Sequence, residues 1–438
     1  MQVSQYHWVY GTECPDGYSP GGYHPVCIGD VLKQRYRIVE KLGYGGYSTV
    51  WLAHDSDVGK YVALKIATAR GGTDAVARET KTLKDLQDAK DGTYPGRRLL
   101  PTVLDTFQVI RPNGTHTCYT TAPARDNLRS ACETYLFPLP VARALAGGLA
   151  QAVAYIHSRG YVHGDLHLRN ILAQLPCNFT NALSVDQFYD KYDQPETTDI
   201  ERRDGQPLTA ATDRGVPLHV VHAFRGWALE ANDYTLADAR IILSDFGESF
   251  RPDKQPKLGR DCHTPQPMRP LEARFAPDAP LSFSADVWTL AIALWDLVAI
   301  NGFVSADFAY PDEIVAQYID VFGPLPAAWR NSEDWREHQA HFFDEQGIRR
   351  DARQGLWRSL DMAFEEGVQK WRRKDGVGEL SDNEKAAFLD LIRRMVVYDP
   401  AQRLTMDGVL QSEWMQQWAL PAWLEAETAA QERAKEVK

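Results

Sequence analysis

His163-Gly164-Asp165-Leu166-His167-Leu168-Arg169-Asn170 is the stretch that decides how this chain folds. It follows a run opened by Pro140 in which Val141, Leu145, Leu149, Val153 and Ile156 recur at helical spacing, ending near Gly160. The loop after that helix presents Asp165 and, five positions on, Asn170. Such spacing puts a base and a metal-holding amide on one short turn, as phosphoryl transfer requires. Asp165 would accept or orient a hydroxyl proton, and the Asn170 side-chain oxygen would hold Mg²⁺ against nucleotide phosphates.

Working outward, Ser244-Asp245-Phe246-Gly247 follows the apolar strand Ile241–Leu243 and offers Asp245 as a second Mg²⁺ ligand. Upstream, Gly43-Tyr44-Gly45-Gly46-Tyr47-Ser48-Thr49-Val50 joins two predicted strands, and its glycines let a hairpin backbone approach phosphate oxygens closely. Val62-Ala63-Leu64-Lys65 lies on the next strand, where a buried lysine is costly unless paired. Glu79, the only Glu in the helix predicted over Ala75–Leu86, is the partner that would hold the Lys65 ammonium against the α- and β-phosphates. Each motif alone also reads as a turn, a surface acid or a chance tripeptide. In this order they resemble the protein kinases. The resemblance implies an α+β, bilobal protein-kinase fold: a β-rich N-lobe and a mainly helical C-lobe, with an insertion between the Asp165 loop and Asp245-Phe246-Gly247. Pro270-Leu271-Glu272 then stands where such folds carry an Ala-Pro-Glu turn, Arg403 is placed to pair with Glu272, and Asp286 can cap a buried helix and tie down the Asp165 loop.

The 438 residues suffice for a large core. A formal charge of −11 argues against non-specific nucleic-acid binding and is compatible with a basic protein partner. Cys14, Cys27, Cys118, Cys132, Cys177 and Cys262 lack CxxC spacing, which suggests a reduced intracellular protein without a zinc site. No stretch reads as a membrane span, since the run near Leu290–Ile300 is broken by Asp296, and no secretory signal is visible. Residues 1–30 read as an N-terminal extension. Residues 31–123 read as the N-lobe, with strands Tyr36–Leu42, Thr49–His54, Tyr61–Ala67, Val103–Ile110 and Thr117–Thr121. Residues 124–418 read as the C-lobe, with helices Ser284–Ile300, Pro311–Phe322, Asn383–Val397 and Met406–Trp418, and residues 419–438 as a tail. Residues 174–240 are polar and loop-like.

The Asp165 loop is spelled unusually. Ser/Thr kinases place a Lys two residues after the Asp to neutralise the γ-phosphate; here His167 stands there. Arg169 occupies the position at which tyrosine kinases carry a substitute cation, and its planar fork suits phosphate oxygens. Gly164 replaces the Arg that in many kinases reads a phosphorylated activation loop, so activity independent of such phosphorylation is expected.

Tyr23-His24-Pro25-Val26-Cys27-Ile28-Gly29-Asp30 and Lys41-Leu42-Gly43-Tyr44-Gly45-Gly46-Tyr47-Ser48-Thr49-Val50-Trp51-Leu52 resemble the serine/arginine-rich (SR) protein kinases, SRPK-like and in a divergent fungal branch. The resemblance extends over roughly residues 23–418. It implies ATP and Mg²⁺ as cofactors. The nucleotide pocket would comprise Leu42, Gly43, Gly45, Gly46, Ser48, Val50, Ala63 and Lys65, with Thr121 as gatekeeper and Ala122–Ala124 as the adenine-facing hinge. Residues 174–240 fall where that family carries its spacer; being short and not charge-rich, they are expected to fold onto the helical lobe. Phe322-Gly323-Pro324-Leu325-Pro326, within residues 305–350, resembles the insert shared with the MAP and cyclin-dependent kinases. Glu313 and Asp320 fall at positions of an acidic docking groove, which implies a basic Arg/Ser-rich protein substrate of the splicing-factor kind. Thr264, the expected marker for Ser/Thr substrates, sits one residue from its usual distance to Glu272.

The leading expectation is therefore a monomeric Ser/Thr protein kinase of the cytoplasm or nucleus, acting on protein and touching neither nucleic acid nor membrane. Two alternatives stay open at this point. The His-Gly-Asp-Leu-His spelling also suits an aminoglycoside- or choline-type small-molecule phosphotransferase, and His167 suits a pseudokinase scaffold.

Overall fold

Ile38–Val39, Trp51–Ala53 and Tyr61–Leu64 are unbroken apolar runs and are buried throughout. Strands of that kind need cover on both faces of their sheet. The computed structural model describes residues 4–88, 94–176, 183–209, 212–302, 304, 310–344, 349–350 and 359–436. Its largest sheet contains β1 (Val31–Leu32), β2 (Tyr36–Gly45), β3 (Ser48–Asp55), β4 (Lys60–Ala67), β5 (Asp105–Arg111) and β6 (Gly114–Thr121), in the order β1-β2-β3-β4-β6-β5. All its pairings are antiparallel. One face, with Ile38, Trp51, Ala53 and Leu64, is covered by Val26 of the N-terminal segment. The other, with Val39, Leu52 and Tyr61, is covered by Phe188 and Trp227 of the insertion.

Its polarity suggested a loop, yet the insertion is structured: Phe188 and Trp227 cover the sheet, while Ala231, Tyr234 and Ala239 pack into the helical core, as expected of a segment folded onto that lobe. Ser184 and Gln187 form a reciprocal capping box that starts the helix Val185–Tyr192. β7 (Ala124–Asn127) and β8 (Ile171–Gln174) flank the helical core, and the insertion adds the hairpin of β9 (Thr197–Asp199) and β10 (His219–Val221) before β11 (Ile241–Leu243). β11, β8 and β7 form a three-stranded sheet beneath the Asp165 loop.

The helical half is built on Leu139–Ser158 and Phe283–Val298, both buried along most of their length. Leu139–Ser158 has the length and composition of a membrane span, contrary to the sequence-based expectation, yet it is a core helix with 83% of its most apolar window buried. Gly147 lets the C-terminal segment approach it: a Cβ there would lie 2.4 Å from the Ala419 carbonyl oxygen. Residues 419–436 are accordingly not a tail. Leu420–Glu436 is a helix whose Trp423 and Ala426 are buried against the core. The helix expected over Met406–Trp418 is interrupted; Met406–Leu410, capped by Thr405, ends at Gln411, and a wide turn over Met415–Ala419 runs into Leu420–Glu436. Helix Phe283–Val298 is capped by Ser282, not by Asp286.

Candidate active site

Lys65 sits mid-strand in β4, between Val50 of β3 and Tyr119 of β6. Its Nζ lies 2.8 Å from Glu79 Oε2 and 3.1 Å from Asp245 Oδ1. Glu79 comes from the helix Gly72–Gln87 and is buried. Its second oxygen accepts the Phe246 backbone N–H at 3.1 Å. One carboxylate therefore joins the sheet, the helix and the Asp-Phe-Gly segment. Burial opposes the charge on Lys65, but the Asp245 and Glu79 carboxylates outweigh it and hold its pKa well above the ordinary lysine value. Lys65 in turn pulls the Asp245 carboxyl below its usual range. Asp245 takes the left-handed backbone conformation, φ +61°, which is rare and strained for a residue with a Cβ.

The Asp165 loop is held from below by Asp286. Its carboxylate accepts the backbone N–H groups of His163 (2.7 Å) and Gly164 (3.0 Å), and His157 Nε2 lies 2.9 Å away. Asn170 Nδ2 donates to the Asp165 carbonyl at 2.9 Å and to its Oδ2 at 3.2 Å. Asp165 Oδ1 is buried and accepts no hydrogen bond, with His167 Nε2 standing 3.5 Å off. His167 is itself mostly buried, whereas Arg169 is exposed.

Lys65, Asn170 and Asp245 border a cavity of about 300 Å³, while Asp165 and Glu79 stand behind its lining. Leu42, Gly43, Gly45, Ser48, Val50, Ala63, Lys65, Thr121, Ala122 and Ala124 line it, as do Arg169, Asn170 and Asp245. Gly46, at the exposed hairpin tip, does not. Sequence reasoning missed Tyr119, which shares the inward strand face of Thr121 and packs beside Lys65, 5.9 Å from its ring centroid. It also missed Phe224, Trp227 and Ala228 of the insertion. The residues fit a magnesium nucleotide: a fixed lysine cation and two oxygen-bearing side chains facing one cavity. Among the described residues no group of three His, Cys, Asp or Glu is set to hold a metal by itself. Mg²⁺ needs no such cage when phosphates and water complete its shell.

Around the site, Gly164 O accepts from Thr264 Oγ1 at 3.0 Å. Arg403 meets Glu272 in a buried bidentate pair, both bonds 2.6 Å. Glu313 and Asp320, on helix Pro311–Phe322, both face Arg349; the first forms a direct ion pair and the second lies 3.7 Å away. Part of the 305–350 region lies outside the described residues.

The protein kinase domain family matches residues 36–179. A serine/threonine protein kinase of Aspergillus fumigatus is 25% identical over 90% of this chain and 88% of its own length. Human SRSF protein kinase 3 is 34% identical over 36% of this chain and 29% of its own. The crystal structure of a kinase domain superposes over 90% of this chain and 98% of its own at TM-score 0.58 and 15% identity, which concerns the fold. The chain is thus similar to serine/threonine protein kinases, the SR-protein kinases among them. The protein kinase family uses ATP, typically with Mg²⁺. The kinase has its relatives both among fungal Ser/Thr kinases and among the SR-protein kinases, as its glycine hairpin had implied.

Proposed function

We propose that the kinase phosphorylates Ser or Thr in Arg/Ser-rich protein segments through the cavity between β4 and the Asp165 loop. The observation that carries this reading is the convergence of Lys65, Glu79 and Asp245 at hydrogen-bond distance beside Asp165 and Asn170. Bound ATP–Mg²⁺ supplies the phosphoryl group and the metal charge that offsets its transfer. Lys65, braced by Glu79, holds phosphate oxygens. Asn170 and Asp245 hold the metal. Asp165 receives the substrate hydroxyl proton on its carboxylate, whose side chain is one-fifth exposed. Arg169 neutralises phosphate charge. Leu42, Gly43, Gly45, Val50 and Ala63 enclose the nucleotide with Thr121, Ala122 and Ala124, while Gly46 and Ser48 shape the hairpin.

Arg/Ser-rich substrate is supported by the relatives named for SR-protein phosphorylation and by the geometry at Glu313 and Asp320. Those carboxylates already hold one guanidinium, that of Arg349, so an arginine of a substrate peptide would compete for the same oxygens. The kinase would act as a monomer, in cytoplasm or nucleus. Transfer of radiolabelled phosphate from ATP, compared among an Arg/Ser-rich peptide, an acidic Ser peptide and kanamycin, tests the reading. Labelling of the Arg/Ser-rich peptide alone, lost in Asp165→Asn, is expected. Labelling of kanamycin, or of no acceptor, would overturn it.

A further inference from the structure

The insertion does more than cover the face of the N-terminal sheet that carries Leu52 and Tyr61. Phe188, Tyr192, Phe224 and Trp227 form one aromatic cluster, with Phe224 and Trp227 edge to face at 5.1 Å and Phe188 5.6 Å from Phe224. Three contacts fix this cluster to the sheet: Phe188 packs on Tyr61 at 5.4 Å, Tyr189 Oη donates to the Val39 carbonyl at 2.8 Å, and the Phe224 N–H donates to the Lys41 carbonyl at 2.7 Å. A further contact fixes it to the other side of the cavity. Arg225 pairs with Asp126 of β7, whose neighbour Arg125 is held by Asp238 at 3.2 Å. Residues 224–228 therefore span from β2, next to Leu42, to the segment that follows the hinge. Phe224, Trp227 and the exposed Ala228 line the cavity there. Lys65 and Asp245 serve phosphate and metal; Ala124, Asp126 and Leu42 mark the hinge side, and the wall stands with them.

We propose that Phe224–Ala228 is a built-in wall of the nucleotide pocket that packs against the purine–ribose part of ATP and sets nucleotide affinity. The wall is apolar and flat where a base and sugar need burial. Because Arg225 and the Phe224 amide tie it to both sides of the cleft, it is preorganised, and its ordering cost falls on folding and not on binding. The inference rests on the nucleotide-site reading above and adds positions 224–228 as affinity-setting residues contributed from outside the kinase motifs.

The test is isothermal calorimetry of the full chain with Mg²⁺ and a non-hydrolysable ATP analogue, beside steady-state kinetics. Trp227→Ala removes the wall's face. Ala228→Phe, at an exposed position outside the aromatic cluster, crowds the mouth without touching the core. Each is expected to weaken analogue binding about fivefold or more and to raise KM for ATP in parallel, with kcat within about twofold and peptide KM unchanged. If the wild-type chain binds the analogue and Ala228→Phe binds it equally well with an unaltered melting curve, the wall does not face the nucleotide and the inference falls alone. A wild-type chain that binds no nucleotide overturns both this inference and the site reading beneath it.

Discussion

A Cβ on Gly164 would stand 2.8 Å from the Glu248 carbonyl oxygen, and Gly164 holds φ at +77°. Both facts bar the arginine that many kinases carry at this position to read an activation-loop phosphate. The backbone of the segment after Asp-Phe-Gly has closed onto the catalytic loop, and only glycine fits the join. Gly164→Ala should cost about 1–3 kcal/mol of stability. Urea denaturation checks this, and an unchanged midpoint would remove the argument from close packing.

In place of a phosphate, the segment is held by charge within the chain. Glu248 pairs with Lys257, and His263 Nδ1 lies 2.9 Å from the same carboxylate oxygen. Burial works against ionisation of Glu248, but these partners win and depress its pKa. Turnover should therefore survive exhaustive phosphatase treatment, while Glu248→Gln lowers kcat several-fold. Activity abolished by the phosphatase would contradict it.

The chemistry of the site was legible because Lys65, Glu79, Asp165, Asn170 and Asp245 stand in a fixed order, each on an element whose period or turn could be read locally. The part of the insertion that packs on the sheet was not. Its polar composition concealed Phe188 and Tyr192, one helical turn apart on the face that packs on Tyr61. The sheet itself carried the missing signal: Ile38–Val39 and Trp51–Ala53 are apolar on consecutive residues, so some segment had to cover the second face. Which segment did so depended on long-range packing that no local pattern encodes. Arg372 shows the same limit, being fully buried with its guanidinium donating to the Val298 and Phe137 carbonyls.

Arg403 and Glu272 bind the turn after the activation segment to the helical core. The guanidinium also donates to the Val397 carbonyl at 2.6 Å and lies over the Trp288 ring at 4.7 Å. Removing one partner leaves a buried charge unpaired. Arg403→Ala should lose about 3–5 kcal/mol, measured by denaturant titration; a loss below about 1 kcal/mol would show the pair to be a solvated one.

Glu40 gives the fold a pH dependence of its own. It lies buried in β2 beneath the insertion, and burial pushes its pKa from 4.5 to about 7, against a backbone hydrogen bond from Lys41. Between those two values the folded chain keeps a proton that the unfolded chain has released. Native binding of more protons means that this group's contribution to stability falls as pH rises through that window and is constant above it. Glu40→Gln should flatten this decline and raise the melting temperature at pH 8 relative to wild type. Parallel melting curves for the two proteins from pH 5 to pH 8 would refute the assignment.

Arg169 and His167 compete for the role of the neutralising cation, and their surroundings separate them. His167 is packed into the loop with Nε2 near Asp165 Oδ1, so its ring is positioned toward the base and not toward the cavity. Arg169 is exposed at the cavity wall, and its planar guanidinium suits phosphate oxygens. Arg169→Ala should lower kcat by about 10–100-fold with little change in KM for ATP, since the cation acts on charge that develops during transfer. Adding His167→Lys to that variant restores a cation two positions after the base and should recover part of the lost rate. Undiminished turnover in Arg169→Ala, or a matching loss in nucleotide affinity, would move the role elsewhere.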